Sequence, residues 1–105
     1  MRVVLSPAAE RDADEANAWW RQNRPDSPDL LDDEIAAGVV RLETDAGTVS
    51  VFRRVGAIDV RRVHLPKTRR HLYFVIEQEQ VTVLAVWGGV RGVLPKLRER
   101  ARDPR

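Results

Sequence analysis

An α+β fold, in which an N-terminal strand and an α-helical hairpin pack on a three- to four-stranded antiparallel sheet, is what this sequence predicts. Three observations carry that expectation. Residues 59–91, DVRRVHLPKTRRHLYFVIEQEQVTVLAVWGGVR, hold three runs of β-branched and aromatic residues separated by two polar turns. Upstream, two stretches place apolar residues at helical spacing behind Ser-Pro start signals. The 105 residues, 43% of them hydrophobic, suffice for one core of two packed layers and not for a second. Residues 1–105 are therefore expected to form a single domain, with its core over about 3–92 and a charged tail over 96–105.

In chain order, Arg2 to Leu5 reads as a short strand, and Ser6-Pro7 supplies an N-cap followed by proline at the first helical position. Ala9, Ala13, Ala16 and Trp20 then share one face of a helix that ends near Arg24-Pro25. Ser27-Pro28 repeats the start signal, and Leu31, Ile35, Val39 and Leu42 give a second amphipathic helix to about Thr44. Gly47 to Gly56 is irregular, with a possible strand near Phe52. Strands at about Asp59–Leu65, Arg70–Ile76 and Val81–Trp87 follow, joined by Pro66-Lys67-Thr68 and by Glu77 to Gln80. Gly88-Gly89 reads as a sharp exit from the sheet, Trp20 as a core residue, and Trp19 and Trp87 as core or helix–sheet contacts rather than stacking platforms.

Composition removes several classes of function. Without cysteine there is neither a disulfide framework nor a thiolate metal site, which suits a reducing cytoplasm. The longest apolar run, Val81 to Trp87, is far too short to cross a membrane, and the N-terminus lacks a signal-peptide pattern. His64 and His71 are the only histidines and show no ligand spacing for a metal; no phosphate-binding glycine loop or nucleophile elbow is present. Residues 1–51 carry 5 Arg against 11 Asp and Glu, whereas 52–105 carry 13 Lys and Arg against 5. That asymmetry suits a nucleic acid or an acidic protein segment as partner, or a solvated polar face balanced by the acidic half.

Alternation along the strands locates the candidate residues. Val63 and Leu65 are expected to face the helices with Arg61, leaving Arg62 and His64 on the open side. On the next strand Leu72, Phe74 and Ile76 point inward, and His71 and Tyr73 outward. Antiparallel pairing then gathers Arg62, His64, His71 and Tyr73 on one exposed surface, with Arg91 near the end of the adjoining strand. Arginines there suit phosphate, and an imidazole moves protons near neutral pH. The alternative is a pair of half-exposed strand histidines with Tyr73 as a packing partner.

SPAAERDADEANAWW, the RP after it, VRRVHLPKTRRHLYFVI and VTVLAVWGGVRG together resemble the RelE/ParE superfamily of type II toxin–antitoxin toxins, in its ParE branch. The resemblance implies a small cytoplasmic toxin in a hetero-oligomer with a cognate acidic antitoxin that folds on binding, and no cofactor. It implies one of two targets. ParE-type members poison DNA gyrase without nuclease chemistry; RelE-type members cleave mRNA on the ribosome. Against the nuclease pattern Arg62, His64, His71 and Arg91 fall at catalytic positions, but Gly89 stands where an arginine is expected and Gly88 where relatives carry histidine. No tyrosine follows Tyr73. Gyrase poisoning is therefore the expected activity, with Arg61, Arg69, Arg70, Tyr73, Trp87 and Arg91 as contacts for target or antitoxin; a member that only binds its antitoxin is a further alternative. Ala9, Ala13, Trp20, Leu31 and Ile35 are assigned either to the internal core or to an antitoxin groove.

Overall fold

The computed structural model describes residues 1–88, 93–102 and 104. Its elements are β1 (Arg2–Leu5), α1 (Pro7–Asn23), α2 (Leu30–Asp45), a 3₁₀ turn (Ala46–Thr48), β2 (Val51–Val55), β3 (Ile58–Leu65), β4 (Arg70–Glu77), β5 (Gln80–Gly88) and α3 (Leu97–Arg102). The five strands form one sheet in the order β1-β5-β4-β3-β2. β1 joins parallel to β5 and every other pairing is antiparallel. The α+β class and the helical hairpin are as the sequence predicts; β1 and β2 extend the sheet to five strands.

Ser6 caps α1 as its sequence position implies, its Oγ accepting from the Ala9 N–H at 3.1 Å with Pro7 in the first turn. The second start signal behaves differently. Ser27, Pro28 and Asp29 form a turn, and α2 begins at Leu30 with Asp29 making no side-chain cap bond. The Ser27 carbonyl instead accepts the Trp20 indole N–H at 2.8 Å, tying the connection to the end of α1.

Helices α1 and α2 cover one face of the sheet. Ala9, Trp20, Leu31, Ile35 and Leu42 are buried there against Val63, Leu65, Leu72, Phe74, Val81, Val83 and Val86. The residues that the sequence left divided between core and groove thus belong to the core, with Ala13 partly buried at its margin. Gly38 lets α2 sit close: a Cβ at that position would lie 2.9 Å from Leu72 Cδ1 and 3.2 Å from Leu65 Cδ2.

The opposite face is not open, and this corrects the sequence reading. A second core of Val55, Val60, Tyr73, Val75, Leu84 and Ala85 lies there under Leu97 and Ala101 of α3. The segment read as a charged tail is amphipathic, with Leu97 and Ala101 turned inward and Arg98, Glu99 and Arg102 exposed. A bulge in β5 opposite Tyr73 and Phe74 places both Leu84 and Ala85 on this face.

α3 is fastened through the edge of β5. β1 pairs with that strand only as far as Val83, where the Ser6 N–H adds a bond to the Val83 carbonyl at 2.9 Å. Beyond it Asp12 of α1 accepts the Val86 N–H at 3.0 Å, and Arg100 of α3 donates to the Leu84 carbonyl at 3.1 Å. Arg100 also grips both Asp12 oxygens, at 2.6 and 3.2 Å. One ion pair therefore joins the two sides of the sheet and satisfies backbone groups that no neighbouring strand reaches.

Candidate functional site

The β3–β4 hairpin places the candidate residues. Its register sets Arg62 opposite Tyr73, His64 opposite His71 and Leu65 opposite Arg70. His64 Nδ1 lies 3.2 Å from His71 Nε2, with ring centroids 4.8 Å apart. His64 is exposed and His71 half-buried. Burial first, then the Arg62 guanidinium and the His64 ring, hold the His71 imidazole below its ordinary pKa, so it is neutral at pH 7. His71 Nδ1 is buried without a partner among the described residues. That arrangement favours the His71 tautomer protonated on Nε2, donating to His64 Nδ1.

Arg62 stands beside this pair with its guanidinium carbon 4.1 Å from the centroid of the Phe52 ring. Such a contact holds the cation over the outer face while leaving its N–H edge for a ligand. Arg62, His64 and His71 thus form a cationic and imidazole patch on that face, with His64 exposed and Arg62 and His71 half-buried.

Tyr73 is not part of the accessible patch. It is 1% exposed, packed edge-on against Phe52 with centroids 5.5 Å apart, beneath α3. Alternation put it on the correct side, but sequence did not reveal that α3 covers that side. Arg61 points to the helix face, as expected, and is occupied there. It donates to the Val49 carbonyl and, at 3.3 Å, to that of Gly47, fixing the connection between α2 and β2.

Arg69 and Arg70 lie at the tip and base of the β3–β4 turn. Arg69 is exposed at a positive φ of 57°, and Arg70 turns toward α1, half-buried against Trp19 and Trp20. Trp87 is half-buried; its indole N–H donates to the Val93 carbonyl at 3.0 Å, and Arg100 lies over its ring. Arg91 and Gly89 lie outside the described residues. Among the described residues no group of three or more His, Cys, Asp or Glu could hold a metal ion.

Sequence reasoning missed two features. The Asp12–Arg100 pair joins residues far apart in the chain, and neither carries a local signal. Trp19, expected as a core or helix–sheet contact, is 47% exposed; the helical spacing that buries Trp20 turns its neighbour outward by about 100°, which was the available signal.

The fold also occurs in a solved structure described as the chromosomal ParDE TA system from P. aeruginosa. That chain superposes with a TM-score of 0.72 and 17% sequence identity over 84% of this chain and 95% of its own. No curated protein matches this sequence. The class is thus a small α+β protein with the fold found in a toxin–antitoxin system. Residues 3–91 match the family described as the ParE toxin of the type II toxin–antitoxin system parDE, and this chain belongs to that family. It is a ParE-type toxin of a type II toxin–antitoxin system.

Proposed function

We propose that this toxin acts in the cytoplasm by surface contact with DNA gyrase, and that a cognate acidic antitoxin neutralises it by folding onto it in a hetero-oligomer. The burial of Tyr73 carries the first half of that reading. It is the only tyrosine, and at 1% exposure its hydroxyl is unavailable to a substrate as acid or base. RNA cleavage by general acid and base would fall to the two histidines alone, His64 and His71. A poison acting by contact needs no tuned titratable group.

An antitoxin has suitable ground at the β3 edge. β2 pairs only as far as Arg61, so among the described residues no strand lies beside Arg62 to Leu65. A hollow of about 300 Å³ flanks that edge, with Leu30 and Ala37 of α2 on one side and His64 and Lys67 on the other. An extended segment added there gains main-chain hydrogen bonds and an apolar floor, and its acidic side chains meet Arg41 and Lys67; Asp33 and Glu34 also line the hollow, Glu34 being held by the Lys67–Thr68 turn.

The second reading, a ribosome-dependent mRNA endonuclease, is favoured by the His64–His71 contact beside Arg62. Controlled expression separates the two. Gyrase poisoning gives DNA-damage signalling and filamentous cells, and the double variant Arg62→Ala/His64→Ala stays toxic. Arrested translation with cut mRNA, abolished in that variant, would establish the nuclease instead.

A further inference from the structure

A second cationic region lies where the C-terminal end of α1 meets the β3–β4 turn and the end of β5. It is a cleft of about 600 Å³, within the range of small-ligand sites. Trp19, Trp20 and Arg24 line it from α1; Lys67, Arg69 and Arg70 line it from the turn. Among the described residues no carboxylate is in the lining.

The nearby acids are committed elsewhere or out of reach. Glu34 accepts the Lys67 and Thr68 N–H groups at 2.8 and 2.9 Å and the Thr68 hydroxyl at 2.6 Å. Asp12 is held by Arg100. Glu15 borders an adjoining hollow with Arg70 but lies beyond ion-pair distance. Among the described residues none of Arg24, Lys67, Arg69 and Arg70 has an ion-pair partner. Arg70 is desolvated enough for burial to pull it below its ordinary pKa. A half-buried guanidinium without a counterion is costly, and an incoming anion relieves that cost.

The site is also built in advance. The three bonds to Glu34 lock the turn that presents Lys67 and Arg69, and Trp20 is anchored through its bond to Ser27. Arg24 and Arg70 each lie 5.8–5.9 Å from both indole centroids, placing cation and π surface side by side. Anion binding alone explains the cations but not an exposed indole among them. A ligand with a planar aromatic group next to a phosphate uses both.

We propose that this cleft binds a nucleotide unit of single-stranded nucleic acid, its base stacked on Trp19 and its phosphates held by Arg24, Lys67, Arg69 and Arg70. The cleft is distinct from the Arg62–His64–His71 patch, which lies on the other side of the hairpin. Binding here does not depend on which target the toxin attacks.

The test titrates the intact protein, folding verified by circular dichroism, with three labelled probes: hexathymidylate, an abasic hexamer with the same number of phosphates, and hexaglutamate. Anisotropy gives the affinity and indole quenching reports stacking. Hexathymidylate should bind about tenfold more tightly than the abasic strand. Trp19→Ala, an exposed position, should remove that advantage and the quenching. Arg24→Ala/Arg69→Ala should weaken both strands alike and lower the salt dependence by a slope of about 1.4. Equal affinity for the two strands, retention of the advantage in Trp19→Ala, or no binding of any probe overturns the proposal. Hexaglutamate binding as tightly as hexathymidylate overturns it in favour of an acidic peptide. No gyrase is present, so failure here leaves the gyrase reading standing.

Discussion

His71 links the candidate patch to stability through its proton. Its folded pKa lies below its unfolded value, chiefly because burial disfavours the cation and then because Arg62 and His64 repel it. As pH falls through the unfolded value near 6.5, the unfolded chain therefore takes up a proton that the folded chain resists. The stability contributed by neutral His71 is present above that pH and is lost on acidification until the folded pKa is passed. Between pH 7.5 and 6, urea denaturation should show wild-type stability falling as pH drops, with a shallower fall for His71→Gln. Equal slopes would mean that His71 is not held neutral by the fold.

Tyr73 gives a sharper test at the same scale. Sitting between Phe52 and α3, it should lose about 3–5 kcal/mol of stability on replacement by Ala, as large buried aromatics do. A surface contact residue loses about 0.5 kcal/mol or less. Denaturant midpoints distinguish the two, and the smaller value would restore Tyr73 to the accessible patch.

At the scale of elements, the fold depends on how α2 and α3 seat on opposite faces of the sheet. Gly38 sits under the ends of Leu65 and Leu72, so a β-branched side chain there overpacks the helix–sheet interface. Gly38→Val should destabilise by about 1–3 kcal/mol, read as a lowered denaturation midpoint. A neutral or stabilising outcome would mean that α2 lifts freely from the sheet.

α3 should depend on its latch. The Asp12 side chain is 10% exposed and that of Arg100 21%. Arg100→Ala leaves the Asp12 carboxylate with the Val86 N–H but no counterion, and the Leu84 carbonyl without the Arg100 donor. Discounted for that partial exposure, the expected loss is about 2 kcal/mol, accompanied by changed emission from Trp87, against which Arg100 packs. An unchanged midpoint with unchanged emission would show that apolar contacts alone hold α3.

Elements with a strong local pattern were legible in the sequence. The Ser6-Pro7 cap, the Ala9–Trp20 face of α1 and the alternation on β3 and β4 place their residues as observed, since each is fixed by neighbours a few positions away. The His64–His71 pairing follows from the same alternation and a short turn. What was not legible depends on distant partners. The six residues of α3 carry only Leu97 and Ala101 as buried signal within a run of charges, and the second core they complete cannot be inferred from strand periodicity. The sequence therefore located the candidate patch but not the lid over its Tyr73 end.

For the whole molecule, charge follows the layers. The excess of acids in residues 1–51 lies largely on α1 and α2, where Glu10, Asp14, Glu15, Asp32 and Asp33 are exposed. Among the described residues the basic excess beyond them lies on β2, on the β3–β4 hairpin and at Lys96 and α3. On the proposed function these cationic residues would meet an acidic antitoxin or a protein–DNA target, and salt should slow either encounter. Contact through them, without bond-breaking chemistry, is the core of the functional account. Its most direct test is a supercoiling assay with purified gyrase, ATP, relaxed plasmid and this toxin. The account predicts lost supercoiling and accumulating cleaved plasmid, both reversed by the cognate antitoxin and both retained in Arg62→Ala/His64→Ala. Undisturbed supercoiling, with mRNA cut on programmed ribosomes by the same preparation, would contradict it.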